Sequence, residues 1–315
     1  MRGYLARRIG QLALTLVGVS ILIFLLVRLL PGDVVDATSG EPGGDPAARE
    51  ALREALGLND PLWAQYGSWI GGFFTGDPGE SLRSGEPLMT LLSRALPITL
   101  EIVILGVIIA LAIGAPLGIL SAVKPNSLTD YAGRLFGMIG ISLPGFWLAT
   151  LVVLFTSSVF GWVPSTTFIS PLEDPIGNLQ QMILPAVCVS VYMMALVMRM
   201  LRATMLEVLG EDYVRTARAK GVSSRGVVLG HALRNALLPV ITITAFEVGV
   251  MLAGTALIEV VFGMPGLGNL LVQGIFNRDY TVVQTVTLLL AATFVTMNLL
   301  ADLLYAVVDP RVKLS

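Results

Sequence analysis

The sequence predicts an all-α polytopic membrane protein: six transmembrane helices, helical loops on the cytoplasmic side, and a long external segment after the first helix. Three observations predict this class. Of 315 residues, 55% are hydrophobic and only 13% are charged, whereas about a quarter of a soluble domain is charged. Apolar segments near residues 9–30, 97–123, 131–160, 181–201, 236–262 and 281–308 each reach the roughly 20 residues that cross a hydrocarbon core. A basic insert at 211–239 separates the last two of these from the rest. It carries Arg215, Arg218, Lys220, Arg225 and Arg234 against Glu211 and Asp212. The net charge of −2 decides nothing; the distribution of charge does.

The first span follows Arg2, Arg7 and Arg8, as a secretory signal would. It is longer than a signal core and no small-x-small cleavage site follows, so it is read as a retained helix. Orientation comes from the basic residues. The amino-terminal arginines, Arg199 and Arg202 with the 211–239 insert, and Arg311 and Lys313 in the tail mark one side, while the 157–180 connection has no Lys or Arg. Both termini are therefore expected in the cytoplasm. The chain divides into 1–30 (amino terminus and first helix), 31–96 (external segment), 97–308 (a five-helix core with the cytoplasmic loop 202–235) and 309–315 (tail).

The 31–96 segment has its own pattern. Asp45-Pro46, then Leu52, Ala55, Leu56 and Gly57, reads as a capped helix with proline at its first position and a glycine stop. Asp60-Pro61 opens a second helix with Leu62, Tyr66, Trp69, Ile70 and Phe73 on one face. That stripe suits either the outer headgroup region or packing against the membrane helices. The turn Gly76-Asp77-Pro78-Gly79 ends it.

Several chemistries are absent from the sequence. No Gly-Lys pair occurs, so there is no phosphate-binding loop of the Gly-x-x-x-x-Gly-Lys-Ser/Thr kind. The single histidine, His231, and the single cysteine, Cys188, make no His/Cys metal set. Cys188 lies in an apolar run and is read as a small buried residue; His231 is read as a loop residue that packs or hydrogen-bonds. His-Glu-x-x-His and Gly-x-Ser-x-Gly patterns are missing, which argues against an intramembrane protease or esterase.

Within the insert, Tyr213, Ala217 and Gly221 fall on one helical face. Small residues at Ala217, Ala219 and Gly221 would let a partner approach the backbone. Gly221 suits a helix stop, and Ser223 suits the cap of a second helix through Arg234, reaching Leu238-Pro239 at the next span. The expected element is a helix–turn–helix lying along the membrane surface. A basic loop attracted only to anionic lipid would need charge but not this order of stop, cap and proline.

The run Asp212-Tyr213-Val214-Arg215-Thr216-Ala217-Arg218-Ala219-Lys220-Gly221, with His231-Ala232-Leu233-Arg234-Asn235-Ala236-Leu237-Leu238-Pro239, resembles the cytoplasmic signature of binding-protein-dependent ABC importer permeases. It is most similar to the dipeptide, oligopeptide and nickel branch. Arg215-Thr216-Ala217 stands near the Glu-Ala-Ala position, departing at the glutamate. The likeness continues in Tyr4-Leu5-Ala6-Arg7-Arg8, Leu30-Pro31-Gly32-Asp33, Gly76-Asp77 with Glu80-Ser81, and Arg94-Ala95-Leu96-Pro97-Ile98-Thr99-Leu100. It extends to Ser142-Leu143-Pro144-Gly145-Phe146-Trp147, Phe262-Gly263-Met264-Pro265-Gly266-Leu267-Gly268 and Asp309-Pro310-Arg311.

The resemblance implies a type I importer permease in a prokaryotic inner membrane. Glu211, Asp212, Tyr213, Arg215, Thr216, Ala217, Arg218, Ala219, Lys220 and Gly221 would seat in a groove on an ATPase subunit. Two cytoplasmic ATP-binding subunits would carry ATP and Mg, with no cofactor on this chain. A second, homologous permease, an external binding protein of lipoprotein type and membrane lipid are the other expected partners, and nucleic acid is not one. The 31–96 segment and the 263–279 loop are candidates for touching the binding protein.

Polar residues inside spans are candidates for the path. Glu247 lies about eleven residues into its span, roughly 16 Å at 1.5 Å per residue, where it would attract a peptide amine or, alternatively, hold helices together. Glu101 and Glu259 lie nearer the external ends and could guard an entrance. Thr242, Thr244, Asn298 and Asp302 suit helix-to-helix hydrogen bonds. Gly114, Gly118, Gly133 and Gly137 suit close helix contact. Peptides are the favoured cargo, because they need only a wide, weakly binding path; nickel chelates and other small solutes use similar permeases. An ion-coupled secondary transporter with Glu247 as carrier, and a membrane enzyme or scaffold, are the readings from other classes.

Overall fold

The computed structural model describes residues 2–29, 46–55 and 57–308. The expected Asp45 cap, the Leu30-Pro31-Gly32-Asp33 run and the 309–315 tail, with Asp309-Pro310-Arg311, lie outside them. In chain order the helices are α1 (Arg2–Leu29), α2 (Pro46–Ala55), α3 (Leu62–Thr75), α4 (Leu88–Val123), α5 (Leu128–Ser142), α6 (Gly145–Phe160) and α7 (Pro175–Leu209). Next come α8 (Asp212–Ala219), α9 (Ser224–Phe262), α10 (Leu267–Phe276) and α11 (Tyr280–Val308). Five of these, α1, α4, α7, α9 and α11, are long and apolar enough to cross a membrane, and the α5–α6 pair makes a sixth crossing when counted together.

That pair corrects the expected single span at 131–160. The chain bends by 102° between the two helices. Leu143, which precedes Pro144, takes an extended conformation (φ −83°, ψ 123°), as the proline ring requires of its predecessor. Elsewhere proline does not break the helix. Pro97 and Pro116 lie inside α4, Pro185 inside α7 and Pro239 inside α9. The second span therefore starts at Leu88 and not at Pro97, and the fourth runs from Pro175, capped by Asp174, which accepts from the Gly177 N–H at 3.0 Å.

The centre of the bundle is α7. Its apolar window is 72% buried, against 22% for α1 and 33% for α4, α9 and α11. Glycine is what admits it. A Cβ on Gly114 or Gly118 of α4 would stand 2.7 and 2.8 Å from the Met194 and Met198 carbonyl oxygens, and one on Gly140 of α5 would stand 2.8 Å from Ala195 Cβ. Met182, Met193, Met198, Leu201 and Met205 of α7 are fully enclosed, and methionine's flexible thioether fills the uneven gaps such close backbones leave.

The helix α3 resolves the two placements open for its aromatic stripe. Tyr66 and Trp69 pack on Phe24 of α1 with ring centroids 5.3 and 6.1 Å away. The Tyr66 hydroxyl meets Ser20 Oγ at 2.8 Å, and Arg28 donates to Gln65 at 2.6 Å. The stripe faces the first span, while Trp63 and Phe74 point away and stay exposed. Gly76 then closes the helix in the left-handed region at φ 81°.

At this end of the bundle a carboxylate ties distant segments. Asp279, buried before α11, accepts from Ser81 Oγ at 2.5 Å and from the Leu82 and Arg83 N–H groups at 3.3 Å each, and it caps α11 through the Val282 N–H at 3.2 Å. Hydrogen bonds to a charged acceptor contribute about 1.5–3 kcal/mol where burial would otherwise orphan the donors. Asp279→Ala is therefore expected to loosen the 79–87 turn by about 2 kcal/mol. Proteolysis at Arg83 should speed up while the helical content stays constant; unchanged cleavage would show the tie to be incidental.

Candidate functional site

The helix α8 stands where the sequence placed the first helix of the insert. Glu211 has extended geometry at its amino end (φ −69°, ψ 149°), Asp212 lies in the first turn and Arg218 in the last, each with the charge the helix dipole favours there. Asp212 pairs with Arg215 and its carbonyl accepts from Thr216 Oγ1 at 2.9 Å. At the other end the Val222 N–H reaches the Ala217 carbonyl at 3.2 Å and the Gly221 N–H reaches the Arg218 carbonyl at 3.0 Å. These two bonds, with Gly221 at φ 81°, form a Schellman stop.

Behind this helix the chain is braced. Val214 and Val227 are fully buried and Ala217 is 8% exposed, packed with Val208 and Leu209 from the end of α7. Tyr213 accepts at its hydroxyl from Asn235 Nδ2 at 2.7 Å, which joins α8 to α9 directly. Ser223 Oγ accepts from the Gly226 N–H at 3.2 Å and so caps α9.

Two expectations about this insert change. Ala217 does not present a small outward face: it turns inward, where its size lets α8 approach Val227. The second helix does not end at Arg234 along the membrane surface. From Ser224 it runs through a π-helical turn, Val227–Ala232, and past Pro239 without interruption to Phe262. The element is a short helix fixed across the end of a long one and packed on the end of α7. Of the residues singled out there, Glu211, Asp212, Tyr213, Arg215, Thr216, Arg218, Ala219, Lys220 and Gly221 are exposed on one continuous segment.

The three carboxylates proposed for a path are not brought together. Glu101 is half-buried on α4. Glu247 and Glu259 share α9, twelve residues and so roughly 18 Å apart along its axis. Glu247 is 6% exposed, and its Oε2 has no hydrogen-bond partner among the described residues. Glu259 is wholly enclosed. It accepts from Thr99 Oγ1 at 2.7 Å and from the Asn269 N–H at 3.0 Å, while Thr99 Oγ1 accepts from the Leu267 N–H at 2.8 Å. A Cβ on Gly266 would stand 2.5 Å from that carboxylate, and one on Gly268 would overlap the backbone of Ala256. The loop before α10 is wound tightly around Glu259.

At the α8 end of the bundle lies a cluster that sequence reasoning missed. Asp130, fully buried, accepts from Arg202 Nε at 2.6 Å and Nη2 at 3.0 Å, from Ser121 Oγ at 2.5 Å and from the Asn126 N–H at 2.9 Å. It ties α4, α5 and α7. The available signal was an acid, Asp130, one helical turn before Arg134 in a short connection between apolar spans. Among the described residues no group of His, Cys, Asp and Glu is placed to hold a metal ion.

Comparison with known proteins agrees with this architecture. The family described as binding-protein-dependent transport system inner membrane component matches residues 114–314, and the corresponding amino-terminal family matches residues 1–103. The chain is 38% identical to the dipeptide transport system permease protein DppB of Escherichia coli (strain K12), over 99% of each chain. It is also 38% identical to the DppB of Alkalihalophilus pseudofirmus, covering 99% of this chain and 100% of that one. In fold it is similar to an inward-facing structure of the MetNI methionine ABC transporter, with a TM-score of 0.58 at 23% identity, over 71% of this chain and 99% of that one.

Proposed function

The chain belongs to the family of binding-protein-dependent transport system inner membrane components, and from that premise we propose that it carries peptides inward as one permease subunit of an ATP-driven importer. It is a multi-pass inner-membrane protein. The observation that carries the reading is α8: an exposed, charged helix with a glycine stop, braced from behind by Val214, Ala217 and Val227, in a chain with no phosphate loop. Such a surface is suited to receive force from another protein.

In this reading the α8 end faces the cytoplasm, with both termini, and two ATP-binding subunits hold ATP and Mg against the 211–221 segment. Their closure moves α8. The Tyr213–Asn235 bond and the Val214–Val227 packing transmit that movement to α9 and α7, so the spans re-orient without α8 unfolding. An external binding protein delivers the peptide at the opposite end, against the 31–96 segment and the 263–279 loop, and a second homologous permease completes the path. Glu247, enclosed near mid-membrane with a free acceptor oxygen, would draw the peptide's amine. The two full-length dipeptide permeases at 38% identity support peptides as the cargo over nickel chelates.

Reconstitution tests this directly. Proteoliposomes holding the chain, a homologous permease and ATPase subunits, given the binding protein, are expected to accumulate dipeptide only with ATP inside the ATPase compartment. Accumulation by the chain alone, driven by an ion gradient, would replace this reading with that of a secondary transporter.

A further inference from the structure

Between α5 and α7, beside the Asp130 cluster, lies a groove of about 680 Å³. Its walls are mixed in a particular way. Arg134, Arg199 and Arg202 supply the charge, and Met138, Ile141 and Met198 supply an apolar floor. Asp130 is the one acid that pairs there among the described residues, and Arg202 takes it in a two-pronged bond. Arg134 Nη2 comes to 3.2 Å of Asp130, but its Nε and Nη2 make no aligned hydrogen bond. Arg199 is exposed and makes no ion pair or hydrogen bond among the described residues. Among the described residues three guanidinium groups thus face one carboxylate, an excess of two positive charges, with Arg134 also lying over the Tyr131 ring at 4.5 Å.

The groove's position selects the ligand. Arg134 lies six residues after Leu128, so roughly 9 Å along α5 from its first residue. The α5 face beside it carries Tyr131, Leu135, Met138 and Ile139, all exposed. A basic rim over an apolar floor, on an apolar flank of a membrane helix, matches a phosphate with hydrocarbon attached. We propose that this groove binds the headgroup phosphate of an anionic phospholipid from the cytoplasmic leaflet, its acyl chain lying along Met138 and Ile141. Assignment of the leaflet rests on the orientation given under Proposed function; the binding itself does not. Basic pockets between membrane helices on that side are suited to anionic lipid.

The test is native mass spectrometry of the full chain in detergent, titrated with phosphatidylglycerol or phosphatidylcholine, alongside Arg199→Gln and the double variant Arg134→Gln/Arg199→Gln. Phosphatidylglycerol should be retained over phosphatidylcholine. Removing each charge should weaken it about fivefold, and the double variant roughly 25-fold. Arg199 has no partner among the described residues, so its variant should unfold at the parent's temperature and carries the test even if the double variant folds poorly. Equal retention of the two lipids, or an Arg199→Gln variant that retains phosphatidylglycerol like the parent, would overturn the proposal. So would displacement of the lipid by inorganic phosphate, which marks a free-anion site, or by dipeptide, which assigns the groove to the transport path. Uptake assays do not enter, so a failed lipid site and a failed permease reading are told apart.

Discussion

Asp130→Ala is expected to lower the stability of the folded chain by about 3 kcal/mol, the low end of the range for breaking a buried ion pair. The reason is what remains. Arg202, with its side chain only 20% exposed, loses both acceptor oxygens; Ser121 Oγ and the Asn126 N–H lose theirs as well. The low end applies because Arg202 reaches the groove beside α5 and regains some water there. The loss should appear as a lower thermal midpoint in detergent, with the α4–α5 connection becoming the first site of proteolysis. Adding Arg202→Met to Asp130→Ala is expected to recover most of it, since an apolar side chain has no charge left to orphan. A single variant that unfolds at the parent's temperature would show that the cluster contributes nothing net.

The difference between what the sequence disclosed and what it concealed follows from the range of each signal. Apolar length is local, so five long helices were legible, as were the glycine stops at Gly76 and Gly221 and the cap at Ser223, each set by a residue and its next three or four neighbours. The break at Leu143-Pro144 was hidden because hydropathy is blind to direction: 131–160 is apolar throughout, and Pro97, Pro116, Pro185 and Pro239 sit inside unbroken helices. Proline alone therefore does not identify a bend; here an extended Leu143 and a glycine at the next helix's first position complete it.

Faces were harder than elements. The spacing of Tyr213, Ala217 and Gly221 gave a common side of α8, but not that Ala217 alone of the three would turn inward. Val214 decides it: with Ala217 three residues on, it forms the stripe that buries against Val227. Glu259 and Asp130 depended on partners far along the chain. Thr99 stands 160 residues from Glu259 and Arg202 stands 72 from Asp130, and no periodicity connects such pairs. A carboxylate in a span stands out in the sequence, and at Glu259 the structure shows the loop it holds.

Gly221→Val is expected to cut ATP-driven uptake about tenfold while leaving the membrane fold intact. At φ 81° the glycine occupies the left-handed region, which costs an L-residue about 1–2 kcal/mol and a β-branched one more. Its Cβ would meet nothing within 4 Å, so no packing is lost and the whole cost falls on the turn. A cost of about 1.4 kcal/mol shifts the equilibrium between the correct turn and its alternatives tenfold, so α8 would end without its Schellman bonds in a larger share of molecules. ATPase subunits should co-purify poorly with this variant, although its thermal midpoint stays near that of the parent. Gly221→Asn separates the two ways a glycine could matter, because asparagine tolerates the left-handed region. Uptake regained with asparagine assigns the requirement to backbone conformation; equal loss in both variants assigns it to a partner surface lying against the bare backbone. Full uptake by the valine variant would remove the helix stop from the coupling mechanism and leave only the charged face of α8, with Arg215, Arg218 and Lys220, to receive the stroke.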